Sequence, residues 1–469
     1  KFSMKRYIPH GYSFQYTPPA YIQFVTPEMR ELLDVVRTAP FVVTDKEEAA
    51  MLYGDTDGIR TGVNIPDALK GRDIIIGKGV YRIGIGGLHS QEQCTEHYAD
   101  ADYLLRDIDV KSYYPSLILT MGMVPEQLGD DFLHIYRAIY DRRLKSKDDS
   151  ARAYKLYDSM GSQELKDEAD ALKTESDGLK IVLNGTFGKL FSKYSILYAP
   201  ELGIRTTITG QLALLMLIEM MECSGIQVVS ANTDGIVLRI PKHLATVAEQ
   251  IVSWWEQRTG LEMEASEYRS IHQRDVNNYV AIDTSGKAKR KGVFGQGGVL
   301  SGPQGKGPNM DICADAVVEF LTNGTPIEQT ITMCRDIRKF IVLRGVSGGG
   351  TFMPSAAQQA QLVPLKQEYL GRAVRWYYST DRAAYIADSK GGRVATSLGA
   401  RPVMKLPDSL PNDIDWPRYI REAYDMLATT GYPVRYWQQD GQLRITHAHH
   451  VVYGAVEIDR KTYNKRKSQ

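Results

Sequence analysis

Apolar and polar positions along the chain fall into two periods. Tyr103-Leu104-Leu105-Arg106-Asp107-Ile108-Asp109-Val110 starts apolar and then alternates with Asp107 and Asp109. That pattern predicts a buried strand that ends by presenting a carboxylate. Pro115 follows and blocks continuation of a ladder, so the chain must turn there. Phe132, Ile135, Tyr136, Ile139 and Tyr140 recur at helical spacing, which predicts a helix over 132 to about 148. A second helix is predicted through 179–190 and a strongly apolar one over 205–223, closed by Gly225. The β-branched runs 226–230 and 236–240 flank Ala231-Asn232-Thr233-Asp234-Gly235, which reads as a hairpin. Two short helices are expected at 316–321 and 327–331.

Composition narrows the class. The 469 residues are 43% hydrophobic and 24% charged, which excludes wholesale disorder. Lys and Arg number 57 against 56 Asp and Glu, a net charge of +1, so nucleic-acid binding would need local basic patches. Between Tyr279 and Lys306 five basic residues face one acid, Asp283. Phosphates would be neutralised on such a stretch, and binding there would weaken with salt. The four cysteines are far apart and form neither a disulfide scaffold nor a zinc ribbon, which fits a reducing, cytoplasmic setting. The most apolar run, 212–221, contains Glu219 and falls short of the roughly 20 residues of a membrane span, so no membrane partner is expected.

Several attractive patterns fail. Gly84-Ile85-Gly86-Gly87-Leu88-His89 lacks the third glycine and following helix of a dinucleotide fingerprint, and reads as a glycine turn beside a strand. Gly305-Lys306 is no phosphate-binding loop, because its neighbours do not match. His89, Cys94 and His97 lack a fourth zinc ligand. His447, His449 and His450 read as a surface strand, and Asp55-Thr56-Asp57 as a loop.

Two acids stand out. Asp109 ends one strand and Asp234 sits at the tip of a hairpin. If the strands are neighbours, both carboxylates emerge on one rim, where they could share a pair of divalent ions and clamp a phosphoryl transfer. Turn chemistry alone would also account for Asn-Thr-Asp-Gly. Lys180, Asn184 and Phe187 are spaced i, i+4, i+7 and share a helix face. A cation, an amide and a ring on one face suit a nucleotide. Gly185 and Gly188 cost that helix stability, which suggests that something packs close to it. Arg143 and Lys147, i and i+4 on the preceding helix, could add phosphate contacts or form a solvated face.

These residues resemble the B-family DNA polymerases of bacteriophage type. Asp109-Val-Lys-Ser112-Tyr113-Tyr114-Pro115-Ser116 is similar to motif A (D-x-x-S-L-Y-P-S). Lys180-x-x-x-Asn184-Gly185-Thr186-Phe187-Gly188 is similar to motif B (K-x-x-x-N-S-x-Y-G), and Ser230-Ala231-Asn232-Thr233-Asp234-Gly235 to motif C (Y-x-D-T-D-S). They occur in the family's order. The resemblance implies an α+β, right-hand architecture: an antiparallel-sheet palm, helical fingers and a mostly helical thumb. Its expected parts are 1–124 (N-terminal segment and first palm part), 125–199 (fingers), 200–299 (second palm part) and 300–469 (thumb and C-terminal region).

The implied activity is template-directed extension of a primer 3′-OH with dNTPs, in phage DNA replication. The implied cofactor is a pair of Mg²⁺ ions, with Mn²⁺ as a substitute. Asp109, Asp234 and Val110 would be the metal ligands and the two acids the catalytic residues. Ser112, Tyr113, Arg143, Lys147, Lys180 and Asn184 would hold the triphosphate, and Tyr114 would gate against a 2′-hydroxyl. Phe187, Gly188, Thr207, Gly210, Thr233, Tyr279, Lys289 and Lys291 would contact primer-template DNA. Asn232 replaces the first acid of motif C, Gln211 a usual Arg and Asn278 a usual Lys, each with loss of a charge. Asn232 keeps open a non-catalytic DNA-binding paralogue. An RNA-synthesising or primase-like palm enzyme is the other alternative, and Tyr114 argues against it. Only 108 residues precede Asp109 and no exonuclease motif is read in them. A proofreading exonuclease is therefore expected to have been trimmed off or to be a separate polypeptide, alongside other replisome partners.

Overall fold

The computed structural model describes residues 6–54, 59–295, 309–361, 365–439 and 442–447, the last two strands (435–439 and 442–447) by their backbone. Asp55, Asp57, Lys306, His449, His450 and the basic C-terminal residues Lys461, Lys465, Arg466 and Lys467 lie outside the described residues. Helices and antiparallel strands are mixed along the chain, an α+β composition. Two compact units divide it: Lys1–Glu92 with Ala99–Glu267, and Gln93–Tyr98 with Tyr268–Gln469.

The first unit is built on an antiparallel sheet. The acidic strand forms over Tyr103–Val110 and pairs with Gly235–Pro241, which returns to Gln227–Asn232. Leu88–Ser90, Gly79–Ile83 and Ile74–Ile76 continue the sheet. Alternation sends Ile108, Ile236, Ala231 and Leu88 to one face, where they are buried. The helix Pro200–Cys223 covers them with Ile204, Ile208, Leu212 and Leu215. At 24 residues this helix is long and apolar enough to cross a membrane, which the ten-residue apolar run did not foretell. Yet 89% of its most apolar window is buried in the fold. It is apolar on every side because it is a core helix. Its acid Glu219 is fully buried and accepts from the Val25 and Thr26 N–H groups, both at 2.8 Å, at the start of the helix Pro27–Thr38.

Two long helices, Asp131–Met160 and Gln163–Lys189, form an antiparallel hairpin turned by Gly161 at φ +68°. Both run well beyond the spans the hydrophobic spacing predicted. The reason lies in their seam, where Ser146, Ser150 and Ala153 face Ala169 and Ser176. Small residues let the helices approach, and Ser150 Oγ donates to the Ala169 carbonyl at 2.9 Å across the gap.

In the second unit, Gln93–Tyr98 and Asn278–Asp283 pair with residues 268–275 of the strand Met263–Asp275, and Ala288–Arg290 extends the ladder. The helices Asp311–Asn323 and Ile327–Met333 form where the pattern expected them. The segment after them is not mostly helical. Val342–Met353 and Glu368–Tyr378 are long paired strands in a four-stranded antiparallel sheet with Tyr385–Ala387 and Ala400–Pro402. Glycines and a register shift between Gly345 and Gly350 interrupt the alternation, so the sequence pattern concealed the strands.

Candidate active site

The ladder between Tyr103–Val110 and Gly235–Pro241 sets Gly235 opposite Asp109. Asp234 is therefore one residue from that pair, and Val110 N–H donates to the Asp234 carbonyl at 2.8 Å. The two residues are thus backbone neighbours, Asp109 near the end of its strand and Asp234 in the turn that opens the next. Asp109 is half-buried and Asp234 exposed. A Cβ built on Gly235 would lie 1.9 Å from Asp109 Oδ1, so the Asp109 carboxylate occupies the space above that glycine.

Both acids are flanked by unusual backbone. Asp234 N–H donates to the Asn232 carbonyl at 2.6 Å, which closes a three-residue turn with Thr233 at its centre, φ +55°. Ser112, three residues after Asp109, has φ +49° and leads into the helix Tyr113–Thr120, which carries Pro115 in its first turn. Non-glycine residues in this region are strained and concentrate at functional sites.

Around the acids the structure gathers several of the expected side chains. The Tyr114 ring stacks on Phe187 with centroids 4.3 Å apart, and Phe187 meets Phe191 edge-on at 5.8 Å. The Tyr114 hydroxyl donates to the Gly86 carbonyl. Burial, with the Asp234 charge nearby, pushes the Tyr114 phenol well above its ordinary value, so it stays a donor. Tyr113 is buried beneath and donates to the Gly210 carbonyl at 2.5 Å. Arg143 Nη1 donates to Ser112 Oγ, while Arg143 Nε is buried without a hydrogen-bond partner. Lys180, Asn184 and Gly188 are exposed on the helix Gln163–Lys189. No atom lies within 4 Å of a Cβ built at Gly185 or Gly188, so the close packing expected at these glycines is not supplied by the described residues.

Other expected site residues are engaged elsewhere. Lys147 Nζ is paired with both Glu264 oxygens, at 2.6 and 2.9 Å. Thr207 is 1% exposed and donates to the Ile204 carbonyl, and Gly210 packs against Leu117 and Tyr113. Both belong to the core helix and present no surface to a ligand as placed. Gln211 in the same stretch turns inward onto Gly84. The Gly84–Gly87 turn, read from sequence as a plain turn, touches the site through Gly86 and Gly87, contacts that no local pattern could reveal.

Tyr279, Lys289 and Lys291 belong to the second unit. Tyr279 lies opposite Gln273 and accepts from Lys291 N–H at 2.9 Å. Lys289 Nζ stands 5.8 Å from the Tyr268 ring centroid. The basic stretch splits by strand alternation. Arg290 turns toward the helix Asp311–Asn323 and pairs with Asp315 at 2.8 Å, while Lys291 and Lys287 are exposed. Its usable positive charge is thus smaller than the sequence count.

Among the described residues no group of three or more His, Cys, Asp or Glu side chains is arranged to hold a metal, His89, Cys94 and His97 included. Two carboxylates, one on a strand and one in the turn opening its neighbour, are nevertheless a fitting donor set for Mg²⁺, which takes one or two protein carboxylates and completes its shell with phosphate oxygens and water.

No family model matches the chain. No curated protein matches it either. Among solved structures it is similar to the family B DNA polymerase from the hyperthermophilic archaeon Pyrobaculum calidifontis, at 14% identity and a TM-score of 0.39. The match covers 72% of this chain and 46% of that one, so this chain spans less than half of that polymerase's length. A likeness of that degree is a loose correspondence of elements, and the functional reading rests on the residues of this chain.

Proposed function

We propose that this chain is the nucleotidyl-transfer core of a template-directed DNA polymerase that extends a primer 3′-OH with dNTPs. The observation that carries the reading is the register that sets Gly235 against Asp109 and so makes Asp109 and Asp234 neighbours at one rim. Bound there, a Mg²⁺ pair would neutralise charge on the transferring phosphoryl group and lower the pKa of the attacking hydroxyl. Asp109 and Asp234 would hold that pair, and Val110 would contribute backbone. Arg143, with its buried unpaired Nε, and the exposed Lys180 take the triphosphate, beside Asn184 and the first N–H groups of the helix Tyr113–Thr120. The stacked Tyr114–Phe187 wall meets the sugar and base. Lys289 and Lys291, with Tyr279, bind the primer-template backbone.

Primer extension on a defined template, with Mg²⁺ and with EDTA, tests this. The wild-type protein is expected to add dNTPs only with the metal. Asp109→Ala and Asp234→Ala are expected to abolish extension while a gel-shift assay still detects primer-template binding. Extension by purified Asp109→Ala would remove the mechanism. Asn232, in place of the first motif C acid, favours a second reading, a non-catalytic DNA-binding paralogue. Metal-dependent extension by the wild type eliminates that one.

A further inference from the structure

We infer that the turn Gly84–Gly87 is a positioning element for the Tyr114 ring, and that Gln211 governs sugar selectivity through it from inside the core. The inference rests on the reading of Tyr114 as the sugar gate.

Three separate parts of the chain grip this one turn. Gln211 is 1% exposed and makes a reciprocal pair with Gly84: its Nε2 donates to the Gly84 carbonyl and its Oε1 accepts from Gly84 N–H, both at 2.8 Å. The same Nε2 donates to the Thr207 carbonyl at 3.1 Å, so the amide has no freedom to flip. Two residues on, the Gly86 carbonyl accepts from the Tyr114 hydroxyl. One residue further, Thr233 closes on Gly87, where a Cβ would meet Oγ1 at 2.9 Å and Cα at 3.2 Å. Thr233 N–H donates to the Leu88 carbonyl at 2.8 Å. The turn is itself tight, since a Cβ on Gly84 would lie 3.0 Å from the Gly87 carbonyl oxygen.

The mechanical consequence concerns Tyr114. Its ring is held on one face by Phe187 and at its tip by Gly86. Stacking on Phe187 and Tyr113 alone would let the ring slide. The hydroxyl anchor fixes its distal edge, and the anchor is only as rigid as the turn that carries it. A steric wall rejects an extra hydroxyl in proportion to the cost of moving the wall. Gln211 holds the turn by two hydrogen bonds that water cannot replace at a buried site. Loosening either joint, Gln211 to Gly84 or Tyr114 to Gly86, lets the ring yield to a ribose.

The test is single-nucleotide insertion, comparing kcat/KM for a dNTP with that for the matching rNTP. The variants are Tyr114→Phe, which keeps the ring and removes the anchor, and Gln211→Met, which keeps bulk and removes both hydrogen bonds. Each is expected to lower the dNTP-over-rNTP ratio by about three- to tenfold, the worth of a neutral hydrogen bond. A merely structural role for Gln211 would depress both substrates together and leave the ratio in place. If Gln211→Met does not fold, Tyr114→Phe still decides. A ratio unchanged in Tyr114→Phe, while Tyr114→Ala collapses it, overturns the latch and leaves the gate standing. A ratio unchanged in Tyr114→Ala overturns the gate itself, and the latch with it.

Discussion

Asp109 folds its carboxylate over Gly235, the residue directly across the ladder from it. The motif C pattern that this stretch resembles usually has a serine at that place. Here the absence of a side chain leaves room for the acid. A Cβ at 235 would lie 1.9 Å from Asp109 Oδ1 and 2.7 Å from the Ile108 carbonyl oxygen. The carboxylate can rotate away; the carbonyl cannot. Gly235→Ala is therefore expected to cut the primer-extension rate at least tenfold by reorienting Asp109, with DNA affinity kept. Rates within twofold of wild type would mean that the position of Asp109 above Gly235 has no bearing on turnover.

Asn232 stands in the same cross-strand row, paired with Gly235 on one side and His89 on the other. Alternation puts its side chain on the same face as that of Asp109. A neutral amide is a weaker ligand for a hard cation than a carboxylate. Asn232→Asp is expected to lower the Mg²⁺ concentration for half-maximal extension several-fold. An unchanged Mg²⁺ titration would place residue 232 outside the reach of the ions.

The parts of this fold that could be read in advance have strong local periodicity. Tyr103–Val110 starts apolar and alternates at its end, and the hairpin around Thr233 and Asp234 is marked by β-branched runs on both sides of Asn-Thr-Asp-Gly. Their pairing sets Gly235 opposite Asp109, so the backbone proximity of Asp109 and Asp234 was legible. The helical hairpin was legible only at its base. Its outer turns pack through Ser146, Ser150 and Ala153, which carry no hydrophobic signal. The Gly84–Gly87 turn was legible as a turn and not as part of the site. Its partners Tyr114 and Gln211 lie 28 and 127 residues away, and such pairings leave no local trace. The pairing of Lys147 with Glu264 was hidden for a related reason, because the two lie 117 residues apart.

Strand alternation also separates the basic residues of 288–291 by role. Arg290 is three-quarters or more enclosed and paired with Asp315, while Lys291 is exposed. Counterion release counts only charges that meet phosphate. Lys291→Ala is expected to reduce the slope of log affinity against log salt by about 1 and to leave the melting temperature unchanged. Arg290→Ala is expected to do the reverse, lowering the melting temperature by breaking an enclosed ion pair while the salt slope holds. Equal salt slopes for Lys291→Ala and wild type would remove Lys291 from the DNA-binding surface.

Stability in acid should report on Asp45. This residue caps the helix Lys46–Tyr53 through the Glu47 and Glu48 N–H groups and meets Lys193 Nζ at 2.6 Å. Burial raises its carboxyl, but the Lys193 ammonium and the two backbone donors outweigh burial and hold it below the usual range. A folded-state value below the unfolded value of about 3.9 stabilises the protein fully above that pH, and the gain is lost as pH falls through the folded value. Asp45→Asn keeps a capping oxygen and removes the charge. At pH 7 it is expected to cost about 1–2 kcal/mol, the range of a charge-assisted hydrogen bond. Below pH 4 the gap between variant and wild type should narrow, because protonation removes the same charge from Asp45. Melting curves at pH 7 and pH 3 measure it. A gap that stays constant between them would assign the contribution of Asp45 to its shape and cap alone, and not to its pairing with Lys193.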